Sequence, residues 1–379
     1  MQLENTVGTG ASFFLGANTP GGFYSLFDEL YAPHEGWRLW IIKGGPGTGK
    51  STLMKKIAAE AEKRGLYCER IYCSSDPHSL DGVIVPSLKI SVADGTPPHA
   101  LEPKYPGVSE TIVDLGRFRD DARLRKNAAE IIRLTDENKE AHAACVRYLN
   151  AAGAAGQDLM QIVADALDAE KLEGFVGHLA QRELGGVAGG EGKAQRRFLS
   201  AVTPEGVRTF YETADALCEK RIVLHDDIGL ASGIITAALC DIALANGCRV
   251  IKCLCPLAPE RKIDHLIFPE LGLGVFTSNP RHPFPHENAK NVQCVRFFSK
   301  NEMRLHKNRV RFTRRAQGEM LNEALKYQEK AKALHDALER YYIDAMDFET
   351  FPGDMLFNGM LTTGAAMTFD EFVAANGIY

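Results

Sequence analysis

Arg38-Leu-Trp-Ile-Ile-Lys43, then Gly44-Gly-Pro-Gly-Thr-Gly-Lys-Ser51, then Thr52-Leu-Met-Lys-Lys-Ile-Ala-Ala-Glu-Ala-Glu-Lys-Arg-Gly65 is the stretch that decides how this chain folds. An apolar strand runs into a glycine-rich loop that fits G-x-x-x-x-G-K-[ST], and a helix-forming run follows. Glycines are needed in such a loop because backbone N–H groups must converge on phosphates in a turn that side chains would block. Gly44, Gly45, Pro46, Gly47, Thr48, Gly49, Lys50, Ser51 and Thr52 are therefore the expected triphosphate-binding segment. Lys50 is placed to reach the β- and γ-phosphates and Ser51 to ligate Mg2+, while the helix N-terminus adds a favourable dipole.

Asp94 ends the apolar run Leu88–Ala93 and precedes Gly95. An acid at the carboxyl end of a strand beside such a loop is where a Walker B aspartate holds the magnesium shell; the alternative is a turn aspartate. Asp76, in Ile71-Tyr-Cys-Ser-Ser-Asp-Pro77, sits just past the next expected strand. It reads either as a proton acceptor for a phosphoryl acceptor or as an Asx turn before Pro77.

The chain is internally duplicated. Phe14-Leu-Gly-Ala-Asn-Thr-Pro-Gly-Gly22 lines up with Phe198-Leu-Ser-Ala-Val-Thr-Pro-Glu-Gly206, and Arg38–Lys43 with Arg221–His225. Leu66–Cys73 matches Cys248–Cys255, Asp81–Pro86 matches Asp264–Pro269, and Lys89–Asp94 matches Gly272–Thr277. Arg123-Leu-Arg-Lys-Asn127 recurs as Arg304-Leu-His-Lys-Asn308. Six matches in one order with a nearly constant offset are not chance. Thr-Pro in both copies predicts a helix start, over 21–31 and 205–217. Each copy then reads as strand, loop, helix, strand, irregular segment, strand and a fourth strand, at 110–115 and 291–298.

The expected architecture is α/β, two duplicated P-loop NTPase-like parallel-sheet cores, each followed by a helical segment. Residues 1–116 form the active core and 117–196 a helical segment ending in the Gly-rich linker 185–192. Residues 197–298 form a degenerate core and 299–379 a C-terminal helical segment. Aligned on these landmarks, Gly44 and Gly45 face Asp226 and Asp227, and Gly49 faces Ala231. Lys50 faces Ser232, Ser51 faces Gly233, Asp94 faces Thr277 and Asp76 faces Ala258. The second loop has lost lysine, hydroxyl and acid, and unpaired carboxylates where phosphates would sit are costly. It should bind no triphosphate.

Features shared by both copies, among them Asp81/Asp264, Pro86/Pro269 and Pro77/Pro259, read as scaffold, with Asp81 as a cap or turn residue or else a catalytic group. Cys248, Cys253 and Cys255 read as core thiols, since no CxxC pair or histidine cluster completes a metal site. His282 and His286 are expected to face solvent in a Pro-rich loop. Arg117, Arg119, Arg123 and Arg125 form either a solvated helix face or a lid over phosphates.

Formal charge is −5, from 44 basic and 49 acidic residues, which argues against nucleic acid as the main partner. No apolar run is long enough to span a membrane, and the first residues lack the regions of a signal peptide. Nine scattered cysteines then read as reduced thiols in a cytoplasmic protein. The partner implied is a nucleoside triphosphate, ATP on general grounds, with a small-molecule acceptor or a protein partner left open, as is the oligomeric state.

The string from FFLGANTPGGFYSLFDELY through GGPGTGKSTLMKKIA and CSSDPHSLDGVIVP to DGTPPHALEPKYPG resembles a family of uncharacterised bacterial ATPases with tandem P-loop halves, met mostly in Firmicutes. The resemblance covers nearly the whole chain and implies ATP and Mg2+ at the first loop. The second loop departs from that pattern, so one site per chain is implied. Three functions follow: a slow ATPase or nucleotide-driven switch, a phosphotransferase using Asp76, or a nucleotide-sensing scaffold. No Glu follows Asp94, so intrinsic hydrolysis should be slow.

Overall fold

Each half opens with a strand and a tight hairpin. The computed structural model describes residues 10–98, 100–185, 191–284 and 288–349. In the first half β1 (Ala11–Phe14) precedes the hairpin β2 (Gly16–Thr19) and β3 (Gly22–Ser25). Then come β4 (Arg38–Lys43), α1 (Lys50–Lys63), β5 (Glu69–Tyr72), β6 (Leu80–Val85), β7 (Ile90–Asp94) and β8 (Glu110–Asp114). Helices α2 (Asp121–Lys126), α3 (Ala128–Ile162) and α4 (Ala169–Leu184) complete this half.

The second half repeats the plan. β9 (Lys193–Arg197) precedes the hairpin β10 (Ser200–Thr203) and β11 (Gly206–Thr209), followed by α5 (Tyr211–Leu217). After β12 (Lys220–His225) come α6 (Leu230–Ala245), β13 (Arg249–Leu254), β14 (Ile263–Phe268), β15 (Leu273–Ser278) and β16 (Lys290–Gln293). The long helix α7 (Lys300–Ala345) ends the described chain.

The two six-stranded sheets have the same strand order, β1-β5-β6-β7-β4-β8 and β9-β13-β14-β15-β12-β16. Both are mixed, mostly parallel, where parallel sheets were expected. Segments 81–86 and 264–269, read as irregular, supply the antiparallel strands β6 and β14. Pro86 and Pro269 then open one-turn 3-10 segments that reverse the chain into β7 and β15. The fourth strand of the second half is shorter than 291–298, giving way to a 3-10 turn at Cys294–Phe297. Strand β9 joins the second sheet from within the stretch read as helix and linker.

Thr-Pro does not start a helix in either copy. It forms the hairpin turn: Thr19 Oγ1 accepts from Gly21 N and donates to Gly22 O, and Thr203 does the same with Glu205 N and Gly206 O. Gly22 and Gly206 follow at φ 105° and 108°, a conformation that disfavours any side chain. A Thr-Pro pair suits both structures, and the positive-φ glycine is what selects the hairpin.

The inner faces of the two sheets pack on each other. One apolar core combines Phe13, Phe14, Ile41, Ile71 and Ile84 with Phe198, Val223, Ile251, Ile267 and Phe276. α1 covers the outer face of the first sheet through Leu53, Met54, Ile57, Ala58 and Ala61, spaced to form one stripe. α4 and α6 cover the second. Phe14 and Phe198, equivalent in the repeat, exchange both backbone hydrogen bonds at 2.9 Å.

Helices α3 and α7 pack along one another across both cores, and each ends on the opposite half. Residues after α7 pair with the chain before α2, through Asp120 N to Ala345 O and Asp347 N to Phe118 O. Residues after α3 pair with the chain before α7, through Asp168 N to Phe297 O and Ser299 N to Ala166 O. The duplication therefore produces an exchange of long helices.

Between the sheets lies one buried ion pair, Arg197 with Glu69, Nη2 to Oε2 at 3.0 Å, each side chain 2% exposed. Removing one partner leaves the other charge buried alone, which costs roughly 3–5 kcal/mol, whereas an apolar pair of similar volume is near neutral. Arg197→Met should therefore destabilise strongly in urea unfolding, and Arg197→Met with Glu69→Leu should recover most of the loss. A double variant no better than the single one would show that the pair matters by shape and not by charge.

Candidate functional site

Strand β4 ends at Lys43 and helix α1 begins at Lys50, so Gly44–Gly49 bridge the carboxyl edge of the first sheet to a helix N-terminus. Gly44, Gly47 and Gly49 have φ of 156°, 68° and 88°. Thr48 is buried and its hydroxyl donates to Gly45 O at 2.9 Å, which fixes the turn. Pro46 is half-buried in the loop and Thr52 points outward on the first turn of α1.

Lys50 is 8% exposed and folds back over the loop, donating to Gly45 O at 2.7 Å and Gly44 O at 3.3 Å. Its ammonium lies 3.6 Å from Asp94 Oδ2. Asp94 Oδ1 accepts from Thr96 N and Thr96 Oγ1 at 2.8 and 2.5 Å, leaving Oδ2 turned toward the lysine. Ser51 Oγ accepts from Leu80 N at 2.9 Å, which ties the head of α1 to the start of β6. The structure thus brings Lys50, Ser51 and Asp94 together at the mouth of the loop.

Asp81 is not a cap or turn residue: it lies buried within β6 and acts electrostatically on Asp94. Burial pushes the Asp94 carboxyl above its ordinary range, Lys50 opposes this, and Asp81 adds to it. The oxygens of Ser51, Asp94 and Asp81 are of the kind that could hold a divalent cation. A second grouping with ligand spacing, His335, Asp336 and Glu339, lies on α7. There Asp336 already holds Lys332 at 2.5 Å.

Asp76 adopts the turn reading. Its Oδ1 accepts from His78 N at 3.4 Å and its Oδ2 from Ser79 Oγ at 2.8 Å, with Lys332 at 3.8 Å. In the arginine cluster, Arg119 pairs with Asp121, and Arg123 binds Asp120 and donates to Asp344 O, so they tie α2 to the end of α7.

Sequence reasoning missed the cover of the glycine loop. The last turns of α7 lie directly on it. A Cβ built at Gly45 would come within 2.6 Å of the Tyr342 ring, and one at Gly47 within 2.8 Å of both Glu339 and Ile343. These residues lie some 300 positions from the loop, and no local signal links them.

The second loop differs from the alignment drawn on sequence. Helix α6 begins at Leu230 after Gly229 at φ 88°, matching α1 after Gly49 at the same φ. The loop is two residues shorter, so Lys50 corresponds to Leu230 and Ser51 to Ala231. Its carboxylates are not unpaired. Asp226 Oδ1 accepts from Ile228 N and Gly229 N, and Oδ2 from Ser232 N, at 2.8–3.1 Å. Asp227 pairs with Arg314 at 3.3 Å. An internal carboxylate fills the backbone N–H cradle at the head of α6.

A lysine from elsewhere supplies the positive charge. Lys262, just before β14, holds Asp264 at 2.7 Å. Burial alone would raise the Asp264 carboxyl, but Lys262 and the nearby histidines outweigh it and hold the group well below the usual range. His282 is not solvent-facing: it is half-buried against the His265 ring, and burial lowers both, His265 to about 3. His286 lies outside the described residues. The cysteines are all free thiols, most of them buried.

No protein-family model, curated protein or solved structure matches the chain. Among the described residues no helix is long and apolar enough to cross a membrane.

The equivalent ends of the two cores carry opposite pH linkage. Asp94 is raised in the fold, so its contribution is full below the ordinary aspartate range and is lost as pH rises through the folded value. Asp264 is lowered, so its contribution is full above that range and is lost as pH falls through the folded value. At pH 7, Asp94→Asn should raise the melting temperature. Asp264→Asn should lower it markedly, since Lys262 is left buried without its closest partner, a loss of roughly 3 kcal/mol. Thermal unfolding of both variants between pH 5 and 8 tests the contrast, and a stabilised Asp264→Asn protein would refute it.

Proposed function

We propose that the chain binds one nucleoside triphosphate with Mg2+ at Gly44–Thr52, ATP by preference, and acts as a slow ATPase or nucleotide-driven switch that moves α7. The observation that carries this reading is the seat of α7 on the glycine loop, where Tyr342, Glu339 and Ile343 touch the positions phosphates would approach. A triphosphate entering the loop meets Glu339, and like charge in a confined site favours a different seat for the helix. In this reading the loop N–H groups and Lys50 hold the phosphates. Ser51 and Asp94 hold Mg2+, with Asp81 behind them.

Turnover is slow in this scheme because Gly95 and Thr96, not a glutamate, follow Asp94, and Thr96 ties up Asp94 Oδ1. Phosphotransfer with Asp76 as proton acceptor is less well supported, since its carboxylate serves the turn at Ser79 and lies near Lys332. The second core is taken to hold no triphosphate, because the Asp226 carboxylate already occupies its N–H cradle.

Calorimetry with Mg-ATP should give one site per chain. Lys50→Ala should weaken it at least tenfold, as expected on losing charge-assisted hydrogen bonds worth roughly 1.5–3 kcal/mol. Asp94→Asn should weaken Mg-ATP more than ATP in the presence of chelator. Hydrogen exchange over residues 332–346 should speed up on Mg-ATP binding. Unchanged affinity in Lys50→Ala would overturn the binding reading, and unchanged exchange with intact binding would overturn the switch alone.

A further inference from the structure

The second core contains a cavity of about 150 Å³ where the first core is filled by side chains of α7. It lies at the carboxyl ends of β12, β13 and β15 and the amino end of β14, beside Asp226–Gly229, and is roofed by α3 and α7. α3 passes over it with Gly153 and Gly156. A Cβ at Gly153 would come within 2.7 Å of Pro20, and one at Gly156 within 2.5 Å of Gln317 Nε2. The helix is glycine there because it packs against these neighbours, and the same choice leaves the space beneath it open.

Four polar groups that line this space lack full partners: Arg281, Arg314, Gln317 and Asp264. Arg281 makes no ion pair among the described residues, and its guanidinium donates only to Arg314 O, at 3.4 Å. Arg314 reaches Asp227 through Nη1, but its buried Nε has no acceptor. Gln317 is 8% exposed and its side chain makes no hydrogen bond among the described residues. Asp226 is held by three backbone N–H groups, and Asp264 Oδ1 by Lys262, while Asp264 Oδ2 is buried with no hydrogen-bond partner among the described residues and suits the hydroxyl of a ligand. Met160, Leu257 and Leu321 supply apolar wall.

We propose that this cavity binds a small organic monoanion, a carboxylate with a short apolar body. Two guanidiniums, one with no acid opposite it, match the two oxygens of a carboxylate. The Gln317 amide suits a hydroxyl or carbonyl beside the carboxylate, and the apolar wall takes the remaining carbons. Lys262 is held by Asp264, Arg314 by Asp227 and Asp226 by backbone N–H groups, which leaves Arg281 to meet one negative charge and no further cation for a second. That disfavours phosphate dianions. The volume is below the roughly 300–1,000 Å³ of pockets for drug-sized ligands, which bounds the ligand to a few carbons.

The full chain is titrated with sodium butyrate and sodium 2-hydroxybutyrate, against sodium chloride at matched ionic strength and against inorganic phosphate. Melting temperature and calorimetry are the readouts. The expected result is saturable stabilisation by the carboxylates, tighter for the hydroxy acid, weakened at least tenfold in Arg281→Gln and unaffected by Lys50→Ala. Arg281→Gln keeps a half-buried polar side chain without breaking an ion pair, so its fold is checked by its melting curve without ligand. The proposal is overturned by any of three results: no saturable shift with either carboxylate, phosphate binding more tightly than both, or full affinity in Arg281→Gln. Loss of carboxylate binding in Lys50→Ala would also overturn it, by moving the anion to the first loop.

Discussion

Burial of two sheets against each other is the constraint from which the rest of this molecule follows. Helices α1, α4 and α6 cover outer faces, so most of each inner face would be open to water if its half stood alone. Residues such as Phe13, Phe14, Phe198 and Phe276 are fully buried because each half completes the other's core. Burial at about 25 cal/mol per Å² of apolar surface makes this the dominant favourable term. It also explains why a second half with an altered loop keeps its strands: the core is needed whatever the loop contains. The exposed backbone of edge strand β1 is covered in the same way, with Thr213 of α5 accepting from Ser12 N and donating to Ser12 O, both at 2.8 Å.

Face-to-face packing places the two loops where α3 and α7 can each span from one core to the other. The ends of these helices are pinned by equivalent backbone hydrogen bonds, near 118–120 on one half and 297–299 on the other. What differs is the side chain presented over each loop. α7 brings Glu339, Tyr342 and Ile343 to the first, and α3 brings Gly153 and Gly156 to the second. One arrangement closes over its loop and the other leaves a cavity, although the backbone plan is the same. A rigid helix of 46 residues therefore touches the first loop near its end and lines the second cavity, through Arg314, Gln317 and Leu321, nearer its start.

Much of this was legible in the sequence where the signal was local. Strand β4 and the stretch of helix α1 fall where the apolar run and the helix-forming residues put them, because both carry their own periodicity and the glycine loop separates them. Asp94 is read correctly as the last residue of its strand, and Thr277 as its counterpart, since strand register carries no gap. Signals with two local solutions were less decisive. Thr-Pro fits a helix start or a hairpin turn, and only the following glycine at positive φ separates them. The loop alignment failed for the opposite reason: two deleted residues shift the head of the following helix, and apolar Leu230 stands where Lys50 does. The cover of the glycine loop and the pairing of Arg197 with Glu69 were invisible because both join distant segments, which periodicity does not report.

The charge balance of the two cores separates a relaxed end from a strained one. In the second core every buried acid has its own partner: Asp226 has three backbone N–H groups and Asp264 has Lys262. In the first, Asp81 is close enough to raise the Asp94 carboxyl further, while Lys50 and Thr96 lie against Asp94. Lys50 is itself divided among Gly44, Gly45 and Asp94. Unmatched buried charge lowers stability, so a compensating group beside a buried acid is favoured. The second core has that form, with a carboxylate of its own in the N–H cradle and Lys262, just before β14, against Asp264. The first core instead keeps Asp94 against Lys50, with Asp81 close enough to raise its carboxyl further, so one backbone plan carries two different charge chemistries at its loops.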